Sequence, residues 1–267
     1  MNKITSLLSL TLLFSITSCV EKVPITGRKQ LSLVPESELV AMSLTEYQTF
    51  LSGHAPLPIT DARAQMVKRV GEKIKAAVTQ FMNDKGLSSG IAGYQWEFNT
   101  VNEDAVNAWC MPGGKVVVYT GLLPVTMDES SLAIVMGHEI AHAIARHGNE
   151  RMSQGLLVQA GGVALSVALS QKPQETQNLF LQSYGITSQL GMLKYSRTHE
   201  SEADKMGLVF AAMAGYDPNV AVAFWERMAA QGGQKPLEFL STHPSDETRI
   251  KDIKEFLPEA LKYYKKN

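Results

Sequence analysis

Cysteine is nearly absent: two residues, Cys19 and Cys110, stand in a chain of 267. That is too few for a disulfide framework, so an apolar core or a metal must hold the fold, and Cys110 is left unpaired. Neither sign of charge is in excess, with 25 Lys and Arg against 26 Asp and Glu and a formal net charge of −1. Such a balance provides no field to gather nucleic acid. Membrane-spanning apolar runs are also missing. Leu156 to Ser170 rises only about 22 Å as a helix, short of a hydrocarbon core of roughly 30 Å, and so reads as a buried or lid helix. Leu7 to Ile16 is shorter still, follows the lone cation Lys3, and reads as part of a signal peptide over residues 1–18. The length suits one sizeable core, taken as residues 34–267, with residues 19–33 as a tether.

What the chain does hold is concentrated in Ser131 to His147, S-L-A-I-V-M-G-H-E-I-A-H-A-I-A-R-H. Ala, Ile, Leu, Val and Met fill nearly all of it, which predicts a helix apolar all round and buried in the middle of a domain. Into it are set His138, Glu139 and His142. At about 100° per residue, positions i and i+4 lie roughly 40° apart, so the two imidazoles leave one face one turn apart, as a single metal ion requires. Glu139 is displaced roughly 60° from His142, where a general base belongs. As solvated residues these three would find hardly any polar face, and unpartnered burial costs several kcal/mol. His147 lies roughly 140° to 180° away and reads as a basic residue at a helix C-terminus. A third His at metzincin spacing would stand at position 148, which is Gly148.

A second stretch, Tyr195 to Gly207, reads as a helix with Glu200, Ala203, Asp204 and Gly207 in one stripe. Two carboxylates with small residues between them make a face that can lie close against another helix. Glu200 is the candidate third metal ligand, and Asp204 the acceptor for the spare N–H of a ligating imidazole. Glu202 points the other way and reads as solvated or salt-bridged.

Around these stretches the pattern predicts helices from Val34 to about Leu51 and from Asp61 to Phe81, broken by Pro56 and Pro58, with His54 as a loop residue. Tyr94 to Phe98 and Lys115 to Gly121 read as strands. Between them lie Asn107, Ala108, Gly113 and Gly114, on an edge that can accept an extended peptide as an added strand; a plain core hairpin is the alternative. Gln171 to Asn178 reads as a polar, mobile loop. A C-terminal helix from Ser245 turns Ile250, Ile253, Phe256 and Leu257 inward. By spacing alone, His243 in Ser241-Thr242-His243-Pro244 is as much a turn residue as a functional one.

Taken together, His-Glu-Ile-Ala-His, Glu200-x-x-x-Asp204 inside S-R-x-x-E-x-E-A-D, N-A-W-C-M-P-G-G ahead of the motif helix and T-H-P-x-x-x-x-R near the end resemble one family. It is the zinc metallopeptidase family of the CAAX prenyl proteases, the heat-shock protease HtpX and the periplasmic barrel-assembly-enhancing protease, and the resemblance covers about Val34 to Arg249. It implies an α+β, mostly helical zincin-like catalytic domain with a small antiparallel sheet and an HExxH active-site helix. One zinc would be held by His138, His142 and Glu200, with Glu139 as base, His243 near the metal, Arg249 supporting it, and polypeptides as substrates. The chain departs from the family in lacking multiple spanning helices and a helical-repeat domain, so client recognition does not carry over. Ile16-Thr17-Ser18-Cys19 resembles a bacterial lipobox, which implies a lipid anchor at Cys19 and, with Val20 following, the periplasmic face of the outer membrane. The expectation is a zinc endopeptidase of the bacterial cell envelope engaged in protein quality control. The alternative is a latent lipoprotein that keeps the fold as a chaperone or binding module. His243, beside Pro244, is expected to serve as a resting-state zinc ligand that keeps the enzyme latent and as an oxyanion donor once released.

Overall fold

The computed structural model describes residues 20–160, 173–184, 196–231, 239–240, 243 and 247–265. Strands β1 (Val20–Lys22) and β2 (Lys29–Leu31) pair antiparallel, so the segment expected to be a tether is a hairpin. It is packed down: Val23 is buried, and Gln30 Nε2 donates to the Ala145 carbonyl at 2.6 Å. Helix α1 (Glu36–Gly53) buries Leu39, Ser43, Glu46 and Tyr47, one stripe at helical spacing. His54 ends it and stacks on Phe50, a loop residue as expected. Helix α2 (Ala62–Asp84) opens at Asp61, whose carboxylate accepts the Arg63 N–H at 2.8 Å, and buries Val67, Val70, Ile74, Ala77, Val78 and Phe81.

Strands β3 (Glu97–Val101), β4 (Ala108–Met111) and β5 (Lys115–Tyr119) lie in the order β3-β5-β4. The expected antiparallel pair is β4 with β5, and β3 joins the far side of β5 in parallel. The tight β4–β5 turn depends on glycine: Gly113 and Gly114 have φ of 82° and 80°, and a side chain at 114 would stand 2.7 Å from the Trp96 ring. β4 remains at one edge.

After the short helix α3 (Leu123–Thr126), α4 (Glu129–Ile144) starts at Asp128, which accepts the Ser131 N–H at 2.7 Å, and is buried from Ser131 to Ile144. β4 runs along it. α4 ends sooner than its apolar pattern suggests, because Arg146 adopts a left-handed φ of 57° and a new helix, α5 (His147–Ala160), begins at His147. Leu156 is buried on α5, and the rest of the expected lid helix lies largely outside the described residues. Helix α6 (Pro173–Ser183) stands where a mobile loop was expected. Proline suits a first helical position, and Thr176, Leu179, Phe180 and Ser183 are buried at helical spacing, so a polar exposed face concealed an amphipathic helix.

Helix α7 (Arg197–Met213) is capped by Ser196, followed by α8 (Val220–Gln231) and α9 (Glu247–Ala260), on which Ile253 is buried and Ile250, Phe256 and Leu257 partly so. α7 crosses α4 where both carry glycine. A Cβ on Gly137 would meet the Gly207 carbonyl oxygen at 2.8 Å, and one on Gly207 would meet the His138 backbone nitrogen at 2.7 Å. This approach sets His138 and His142 of α4 face to face with Glu200 of α7. No described helix is long and apolar enough to cross a membrane.

Candidate metal centre

His138 and His142 project from one face of α4, and Glu200 meets them from the first turn of α7. The fourth member, His243, is stacked on Phe239 with ring centroids 4.6 Å apart. All four are buried, and their donor atoms lie within 4.8 Å of one another. His138 Nε2 is 3.1 Å from His142 Nε2 and 3.2 Å from His243 Nδ1. Glu200 Oε1 is 3.0 Å from His243 Nδ1 and 3.4 Å from His142 Nε2, and Glu200 Oε2 is 3.5 Å from His138 Nε2. Donors bound tetrahedrally at about 2.0–2.1 Å stand about 3.3 Å apart, so these separations fit one zinc, as does the set of imidazoles and a carboxylate. Glu139 lies at the edge of the cluster, 3.5 Å from His243 Nε2, and its buried Oε1 has no hydrogen-bond partner. A buried carboxylate left so is a group awaiting a ligand or solvent.

The surrounding residues hold the cluster. Asp204 Oδ1 is 2.9 Å from His138 Nδ1, which leaves Nε2 to face the other donors. Arg249 grips Asp204 with a two-pronged pair, Nε to Oδ2 and Nη2 to Oδ1, each 2.8 Å, and stacks on Trp225 at 3.5 Å. Its Nη1 is 3.0 Å from Glu200. Burial would lower His138, yet Asp204 and Glu200 lift it to about 9. Burial would raise Glu200, but His243 and Arg249 hold it well below the usual carboxylate range. Burial holds His142 well below its ordinary value, in the neutral form that binds metal, and pushes Glu139 up.

Seven residues predicted for the site, His138, Glu139, His142, Glu200, Asp204, His243 and Arg249, thus come together. The four predicted for a substrate edge divide. Ala108 opens β4, the edge strand beside α4, and Asn107 precedes it; both are buried, the Asn107 carbonyl accepts the Tyr119 N–H at 3.1 Å, and its side-chain oxygen accepts the Ala108 N–H at 2.9 Å. Gly113 and Gly114 offer no free edge: their carbonyls accept the Gln95 and Glu97 N–H groups at 2.9 and 3.0 Å, and they pack against Val40 and Trp96.

Two residues set aside in the sequence belong to the surroundings of the site. His147, expected to point away at a helix end, is wholly buried with Nδ1 2.9 Å from His142 Nδ1; the left-handed Arg146 ends α4 and swings it back. Glu202, expected to be solvated or salt-bridged, is buried at 3 % exposure and salt-bridged, with Oε2 3.1 Å from His147 Nε2. The signal available was a His five residues after His142 and a Glu two after Glu200, which needs the kink at Arg146 to acquire meaning.

A family model described as "Peptidase family M48" matches residues 68–257. The mitochondrial metalloendopeptidase OMA1 of Schizosaccharomyces pombe is 36% identical over 245 residues, 90% of this chain and 67% of that protein. The human mitochondrial metalloendopeptidase OMA1 is 31% identical, over 91% of this chain and 47% of its own length. The beta-barrel assembly-enhancing protease of Escherichia coli is 29% identical, over 66% of this chain and 38% of its own. The chain therefore spans two thirds of the first and less than half of the other two. These likenesses correct the expected location. Proteins matched over nine tenths of the chain are named mitochondrial, which overturns the assignment to a bacterial outer membrane. That assignment rested on a short apolar run ending in two small residues and Cys19, a pattern of low information, and residues 1–19 lie outside the described residues.

Proposed function

The chain belongs to peptidase family M48 and is a zinc metalloendopeptidase, and from that premise we propose that it cuts polypeptides in protein quality control, with His138, His142 and Glu200 holding the metal. The carrying observation is the buried set of donors with Glu139 at its edge, its Oε1 without a hydrogen bond. Zinc bound there supplies Lewis acidity, which acidifies water and polarises a carbonyl. Glu139, whose proton affinity burial raises, takes the proton of the attacking water and returns it to the leaving amine. His243 Nε2, 3.5 Å from Glu139, offers a donor for the oxyanion that forms. Asp204 and Arg249 keep the His138 ring from turning. β4, an edge strand beside α4 that opens at Ala108 with Asn107 just ahead of it, is the edge along which an extended substrate would be received. A cluster that already contains a fourth side-chain donor suits a protease held in check until a client arrives, as quality control requires.

The test is mass spectrometry of an unfolded protein digested by wild type and by Glu139→Gln, with zinc measured in both. Internal cuts by wild type and none by a variant that retains about one zinc per chain are expected, while His138→Ala and Glu200→Gln should lose the metal. Equal cleavage by Glu139→Gln, or trimming of chain ends only, would refute the endopeptidase reading.

A further inference from the structure

His138 and His142 are held differently. The spare nitrogen of His138 meets a carboxylate directly, Asp204 at 2.9 Å. The spare nitrogen of His142 meets another imidazole, His147 Nδ1 at 2.9 Å, and a carboxylate comes only one step later, Glu202 at 3.1 Å from His147 Nε2. Donor and acceptor roles along this line can be assigned in one way. A His142 that gives Nε2 to a metal carries its proton on Nδ1 and donates it. His147 Nδ1 must accept that hydrogen bond, which puts the His147 proton on Nε2. Nε2–H then donates to Glu202, which as a carboxylate can only accept.

Glu202 is itself fixed. Arg28 on the N-terminal hairpin donates from Nε to both its oxygens, at 3.0 and 3.1 Å, and Thr26 Oγ1 donates at 2.5 Å. Arg28 also reaches Glu150 with Nη1 and Nη2, at 3.0 and 2.7 Å. The chain of contacts thus runs from a hairpin 174 residues upstream of Glu202, through Glu202 and His147, to a zinc ligand. His147 and Glu202 are both buried, at 0% and 3% exposure, so each hydrogen bond has little water to compete with it.

We propose that His147 and Glu202 are positioning residues for His142, a relayed counterpart of Asp204 that fixes the His142 tautomer and so sets zinc affinity. The inference rests on the reading of His142 as a ligand through Nε2. Partners of ligating imidazoles typically carry about 10- to 100-fold in metal affinity.

Zinc affinity of the full chain, measured by competition with a chromophoric chelator, tests this alongside the cobalt absorption spectrum and thermal melting of the zinc-free protein. His147→Leu should weaken zinc binding about 10- to 100-fold and alter the cobalt spectrum. His147→Asn, which keeps an acceptor near the Nδ1 position, should recover part of the loss. If His147→Leu does not fold, the pair Glu202→Met and Glu202→Gln carries the test: Met should weaken zinc binding, and Gln, which still accepts, should not. Wild-type affinity and cobalt spectrum in His147→Leu, or Asn no better than Leu, would overturn the proposal and leave His147 a packing residue. Lost zinc-free stability with unchanged affinity would overturn it equally. Wild type that takes up no zinc, or His142→Ala that binds it undiminished, would instead remove the metal assignment and the relay with it.

Discussion

His243 is the residue whose two available roles predict opposite behaviour. Its Nδ1 lies 3.2 Å from His138 Nε2 and 3.0 Å from Glu200, inside the donor set, while its Nε2 faces Glu139. A zinc peptidase needs one open position, which a fourth protein ligand would fill. We expect His243→Ala to raise basal cleavage of a short peptide at saturating zinc. A fall in kcat of roughly 10²-fold or more would show that its oxyanion role outweighs its hold on the resting metal. Arg249 was foreseen only as a support through a resemblance; its two-pronged grip on Asp204 and its stacking on Trp225 show why a guanidinium and not an ammonium stands there. Such a role could not be read from residue order, because Asp204 and Trp225, which it grips and stacks on, are distant in sequence. The common face of His138 and His142 was legible, since i, i+4 spacing is a local property of a helix.

At the scale of elements, the crossing of α4 and α7 decides whether the site exists. The stripe Glu200, Ala203, Asp204, Gly207 announced a close face, and Gly137 supplies its counterpart. Gly207→Ala would place a methyl 2.7 Å from the His138 backbone nitrogen and 2.9 Å from its Cα, atoms with no rotamer to yield. The expected cost is about 1–3 kcal/mol by chemical denaturation, together with weaker zinc binding as the helices separate. A Gly207→Ala protein as stable and as zinc-avid as wild type would show that the crossing can relax. α6 and the end of α4 were misread for related reasons. A helix with a largely polar exposed face looks like a loop when its apolar partners are elsewhere in the chain, and a continuous apolar pattern gives no notice of one residue turning left-handed.

Across the whole molecule, the N-terminal hairpin is tied to the catalytic body by charge. Glu150 would be raised by burial, but hydrogen bonds from His199 and Arg28 lower it from 4.5 to about 2. A carboxylate depressed in the folded state adds stability above its unfolded pKa, and that addition is lost as pH falls toward the folded value. Arg28→Ala should therefore destabilise the zinc-free chain by about 1.5–3 kcal/mol at pH 7, the range for hydrogen bonds to charged groups. The difference from wild type should shrink between about pH 4.5 and pH 2. Urea unfolding at several pH values measures it, and a difference that is constant with pH would mean that Arg28 acts through packing alone.

The sequence by itself determined the composition of the proposed reaction centre: two imidazoles one turn apart with a Glu beside the first, a buried helix to carry them, and a second helix with two carboxylates on a small-residue face. These follow from periodicity and from the cost of burying charge, both of which act within a few turns of chain. Only the tertiary structure decided the mixed sheet, the packed hairpin, the helix at 173–183 and the placement of His147 and Glu202. Each depends on one backbone torsion or on partners outside the element's own stretch of chain, from 18 residues away in the β3–β5 pairing to 115 for the hairpin, and neither leaves a trace in local pattern. The physical reason is the same throughout: a ligand's spacing is set by its own helix, whereas what holds that ligand's far nitrogen is set by whichever element happens to be folded against it.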